Sequence, residues 1–115
     1  MAADVPKGDP GYAAEKLGMA VYRLATGHGR IRDRLYDAFM VFHPVNDRDI
    51  PPPLLPLWRE VRDGLTCKPA KHPREGAINA TLRGMRTEEA ERIARRICEL
   101  ADRLDEHLID AASSE

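Results

Sequence analysis

Three features of this 115-residue chain predict an all-α fold. Apolar residues recur at steps of three and four rather than in alternation. The longest such run, Thr87 to Ala112, places Ala90, Ile93, Ala94, Ile97, Leu100, Ala101, Leu104 and Leu108 on one helical stripe, with no Gly or Pro to interrupt it. The shorter runs upstream are separated by links rich in Gly and Pro. At 1.5 Å per residue the final helix is about 38 Å long, and a stripe of that length needs several helices to cover it. The expected architecture is an irregular bundle of four main helices plus one short helix, packed around the long C-terminal helix.

Residues 1–8 carry no periodicity and are expected to form a mobile N-terminal tail. Residues 9–112 make a single helical domain, and 113–115 a frayed tail. Asp9-Pro10 reads as an N-cap followed by Pro in the first turn, which starts a helix over Pro10 to Thr26. Ala13, Leu17, Ala20, Val21 and Leu24 are its inward face. Gly18 lowers helix stability and is expected to admit a neighbouring helix. Gly27 is the expected left-handed C-cap.

After His28-Gly29 a second helix spans Arg30 to Phe42, with Ile31, Leu35, Ala38, Phe39 and Phe42 inward. His43-Pro44 ends it, because the residue before Pro is biased away from helical dihedrals. Val45 to Pro53 reads as a loop on the strength of Asn46, Asp47 and three consecutive prolines. Pro56 fits only a first turn, so the third helix starts near Leu54 and ends near Leu65. Leu54, Leu57, Trp58, Val61 and Leu65 form its stripe, with Trp58 as a core anchor. Residues 66–76 form a second loop. A short helix over Ala77 to Met85 buries Ile78, Leu82 and Met85, and Thr87 caps the long helix, whose first turn is acidic.

The net charge of −1 argues against a general binder of nucleic acid or membrane. No apolar run is long enough to span a bilayer, and the N-terminus has no signal-peptide pattern. Cys67 and Cys98 stand in no paired motif, which suits free thiols in a reducing, cytoplasmic setting. His28, His43, His72 and His107 share no ligand spacing, and no phosphate-loop pattern is present, so no metal and no cofactor are expected.

Charge is segregated along the chain. Between Gly64 and Arg86 stand Lys68, Lys71, Arg74, Arg83 and Arg86 against one acid, Glu75. From Thr87 onward nine acids face four arginines. The basic stretch suits a phosphate backbone or an acidic partner, and equally a solvated face or pairing with the acidic helix of its own chain. Gly27-His28-Gly29 precedes a helix N-terminus flanked by Arg30, Arg32 and Arg34, which suits an anion; a tight helix–helix turn is the competing reading.

Arg23 and His28, spaced Arg-x4-His, resemble the active-site spacing of the HEPN family of helical ribonucleases. That resemblance implies RNA cleavage with these two residues as the catalytic pair. The string Leu24-Ala25-Thr26-Gly27, Gly29, Ile31-Arg32 and Arg34-Leu35 is also similar to one in a family of small all-helical bacterial proteins. The likeness continues through Phe42-His43, Leu65-Thr66, Ala80-Thr81-Leu82 and Met85-Arg86. It implies a compact helical domain of a bacterial cell or mobile element, and brings no activity with it.

The function expected first is therefore a non-enzymatic protein–protein interaction module, an adaptor or regulator. Its partner is another protein, or a second copy in a homodimer if Met19, Tyr22, Tyr36 and Met40 lie exposed together. A nucleic-acid or phosphate binder using the 66–86 segment is the alternative, with ribonuclease activity a further one.

Overall fold

A computed structural model of the protein describes residues 8–70 and 76–113. Five α-helices follow one another: α1 Pro10–Thr26, α2 Ile31–Phe42, α3 Leu55–Thr66, the short α4 Ala77–Arg83, and α5 Thr87–Ser113. There is no strand among the described residues. α5 packs against α1, α2 and α3, while α4 sits on α2 and α3. Its 27 residues make a rod about 40 Å long, close to the 46 Å long dimension of the molecule.

The stripe on α5 is buried where the other helices cross it. Ala90, Ile93, Ile97, Leu100 and Leu104 are all at or near zero exposure. Leu17 and Ala20 of α1, Leu35 and Phe42 of α2, and Trp58, Val61 and Leu65 of α3 meet them in one cluster. The last turns leave this cover, and Ile109 is exposed. Arg92 and Arg96 of α5 both reach Glu60 of α3, at 2.9 and 2.8 Å, and pin the two helices at the rim of the core.

The segment between α2 and α3, read from sequence as a loop, is more ordered than a loop. It holds two 3₁₀ turns, Asp47–Asp49 and Pro52–Leu54, and buries Val45, Ile50 and Pro51. The buried Asp49 carboxylate accepts the N–H of Asn46 at 2.9 Å and the N–H of Asp9 at 2.9 Å, joining this segment to the start of α1. Gly8, assigned to the tail from sequence, lies against the backbone of Arg48 at the same place. Residues 1–7 and 114–115, to which the mobile and frayed tails were assigned, lie outside the described residues.

Three local expectations need correction. Gly27 is not left-handed: its φ of −66° and ψ of 159° are extended. It must be glycine for space, since a Cβ there would stand 2.6 Å from the Arg23 carbonyl oxygen and 3.0 Å from Cγ of Arg34. The left-handed residue is Gly29, at φ +94°. His43 keeps helical dihedrals despite the following Pro, because its N–H completes α2 by donating to Phe39 at 2.8 Å. Gly18 receives no neighbouring helix: it is exposed, and a Cβ there would meet nothing within 4 Å.

The two glycines should therefore respond oppositely to alanine. Gly29→Ala forces a side chain into the left-handed region and against Asp33, and is expected to lower stability by about 1–3 kcal/mol. Gly18→Ala fills open space on a helix and is expected to raise the stability of the isolated chain by about 0.5–1 kcal/mol. Urea denaturation of dilute protein checks both signs.

Candidate anion-binding cleft

The link Gly27–Arg30 turns the chain sharply from α1 into α2. Arg34 stabilises the turn from the far side, its Nη1 donating to the Leu24 carbonyl at 2.8 Å, where α1 has carbonyls left over. On the near side Asp33 Oδ2 accepts the N–H of Arg30 at 3.0 Å. That carboxylate presses so closely on Gly29 that a Cβ would lie 2.6 Å from it. The α2 N-terminus thus already holds an anion, the protein's own. The Gly27–Gly29 amides are part of a helix–helix turn, and any external anion must be met by side chains.

Those side chains converge between α2 and α4. An open cleft of about 610 Å³ is lined by Arg30, Arg32, Asp33, Tyr36 and Asp37 from α2 and its cap, and by Asn79, Leu82 and Arg83 from α4. Its volume is in the range of small-ligand sites. Its charged lining is three arginines against two aspartates. Arg32 leans over the end of α4, its Nη1 3.5 Å from the Arg83 carbonyl. A guanidinium there meets the negative end of the helix.

The basic surface continues past this cleft. Arg83 also borders a depression with Lys68, Pro69, Ala70, Ala80 and Gly84. Lys68 and Gly84 in turn border a third, which Arg86 and Glu89 complete. Arg30, Arg32, Arg83, Lys68 and Arg86 therefore follow one band around the end of α4. Thr81 places Lys68 on it: the buried hydroxyl accepts the Lys68 N–H at 3.0 Å and donates to the Ala77 carbonyl at 2.7 Å. The Lys68 and Arg86 side chains make no ion pair with a described residue. Three arginines of α5 bond two of its acids instead: Arg92 pairs with Glu89 at 2.6 Å, and Arg96 and Arg103 with Glu99. Lys71 and Arg74 belong to the segment 71–75, outside the described residues.

Arg23 and His28 take no part in this cleft. Both are exposed; Arg23 is in the last turn of α1 and His28 in the link beyond it, off any helix. That placement departs from the HEPN pattern, in which the histidine is helical. Cys67 and Cys98 are free, and burial pushes the Cys98 thiol up from its ordinary range. Among the described residues no three His, Cys, Asp or Glu side chains gather as a metal site, and no helix is long and apolar enough to cross a membrane.

A heavily bonded polar group among the described residues is structural. Asp47 accepts from the indole Nε1 of buried Trp58 at 2.8 Å, from Arg59 at 3.3 Å, and from Arg62. Sequence singled out Trp58 but not the acid eleven residues earlier that satisfies its N–H. No family model, no curated protein and no solved structure matches the chain. The residues themselves must carry the functional reading.

The indole hydrogen bond, aided by the two guanidiniums, holds the Asp47 carboxyl below the usual aspartate range. A depressed folded-state pKa stabilises the fold above the unfolded value, near pH ~4, and that contribution is lost as pH falls through the folded value. Asp47→Asn is therefore expected to be less stable than wild type at neutral pH, with the gap closing as pH drops below about 4. Urea midpoints for both proteins across that range check it; a gap that stays constant contradicts it.

Proposed function

We propose that the protein is a non-enzymatic binding module whose ligand is a phosphate polyanion, the backbone of a nucleic acid, laid along the band from Arg30 and Arg32 through Arg83 to Lys68 and Arg86. One observation carries this reading. Basic residues from three separate stretches of sequence border a connected run of depressions around the end of α4. The excess acid, meanwhile, is on α5, where Glu89 and Glu99 pair with that helix's own arginines. A net charge of −1 is no obstacle, since a bound strand responds to the local field and not to the sum.

Asp33 and Asp37 on the cleft wall set a condition on the ligand. They repel phosphate, so contacts from Arg30 and Arg32 must come at the outer lip of the cleft, with the floor free for a sugar or base edge beside Tyr36 and Asn79. Half-buried Tyr36 gives that edge an aromatic surface. The protein-docking role belongs to a different face, helix α1, and to different residues.

Fluorescence anisotropy with short labelled DNA and RNA strands tests the proposal. Binding is expected at low salt and is expected to weaken with a log–log slope of about −2 to −4, as for three to five backbone contacts. Arg83→Ala and Arg30→Ala should each weaken binding for every sequence and flatten the slope by roughly one contact. Arg95→Ala, on α5 away from the band, should change neither. Absence of binding at about 50 mM salt contradicts the proposal.

A further inference from the structure

The outer face of α1 covers nothing in its own chain, yet it is not built as a solvent face. Tyr22 is 66 % exposed and Met19 42 %. Beside them Gly18 leaves an open notch in the helix surface. Mid-helix glycine is unfavourable, and nothing inside the molecule requires it here. Glu15 and Arg23 flank the patch, both exposed and neither ion-paired with a described residue.

We propose that this face binds a second copy of itself, α1 against α1, antiparallel about a two-fold axis at Met19. The spacing is self-complementary. Glu15 lies four residues before Met19 and Arg23 four after, on one line of the helix surface. Each is about 6 Å from Met19 along the axis, so reversing one helix sets Glu15 opposite Arg23 of the second copy, and Arg23 opposite its Glu15. A two-fold operator turns one such match into two identical ion pairs. A parallel arrangement would instead set Glu15 on Glu15 and Arg23 on Arg23.

Tyr22 is about 4.5 Å beyond the axis, on the level of Lys16 of the second copy. Its exposed ring there faces that lysine, a contact the two-fold makes twice. The expected adaptor surface thus has one occupant, this chain. The interface shares no residue with the basic band, so either reading can fail without the other.

Sedimentation velocity on the full chain from roughly 1 to 200 µM reads the outcome. The mass is expected to rise from one 12.9 kDa chain toward two. Glu15→Arg alone, and Arg23→Glu alone, should each weaken the dimer by about tenfold, because two attractions become two repulsions. The double reversal should restore the affinity to within about threefold. Met19→Glu sets two carboxylates against each other on the axis and should abolish the dimer, while circular dichroism of the monomer is unchanged. A chain that remains monomeric throughout overturns the proposal. So does a dimer indifferent to both single reversals, which must form on another surface.

Discussion

The fold depends on one constraint: α5 carries an apolar stripe longer than any single partner helix. Ile93, Ile97, Leu100 and Leu104 are buried because α1, α2 and α3 all cross it, each covering part. The hydrophobic gain from burying such side chains, about 1.5–3 kcal/mol each, is large against the marginal stability of a small domain. Polar cross-links then set the angles. Glu60 holds α3 to α5 through Arg92 and Arg96, and Asp49 holds the α2–α3 segment to the start of α1. Glu60 works at the edge of the core with access to water, while buried Asp49 is satisfied by two backbone N–H groups and is not stranded.

That arrangement decides which surfaces remain for function. With the stripe of α5 spent on the core, two other regions stand out. One is the junction where α2 begins and α4 ends. The other is the back of α1. The first is rich in cationic groups, of which the Lys68 ammonium and the Arg86 guanidinium pair with no described acid; the second is apolar with one charge of each sign. Their chemistry differs enough that the ligands proposed for them differ in kind, a strand of phosphates in one case and a like helix in the other.

Much of this was legible from the chain. The helix limits followed from Asp9-Pro10, from the position of Pro56 and from the unbroken periodicity of α5, because each is a local rule with few competing outcomes. α1 begins and ends where those rules place it, at Pro10 and Thr26. What sequence could not give was tertiary in origin. Gly27 and Gly29 exchanged roles because the close approach of Arg34 fixes the former and the carboxylate of Asp33 the latter. The 3₁₀ turns between α2 and α3 arise from the burial of Val45 and Ile50, which are too short a run to show a period. Asp47, as partner of Trp58, carries no local signal at all. Of the candidate site, the basic residue types were evident in sequence, but the meeting of Arg30 and Arg32 with Arg83 depends on α2 packing against α4, fifty residues downstream. The Arg-x4-His spacing shows the opposite failure: a short pattern that the link geometry takes off the helix.

The band at the end of α4, not α1 or the acidic half of α5, is the surface proposed to meet the polyanion. Backbone amide chemical shifts of the labelled protein, titrated with a short oligonucleotide, test it most directly. Shifts are expected to concentrate at residues 30–37, 68 and 79–86 and to spare Glu15 to Arg23 and Asp102 to Asp110. Shifts centred on α1, or an unchanged spectrum at saturating strand, would contradict it.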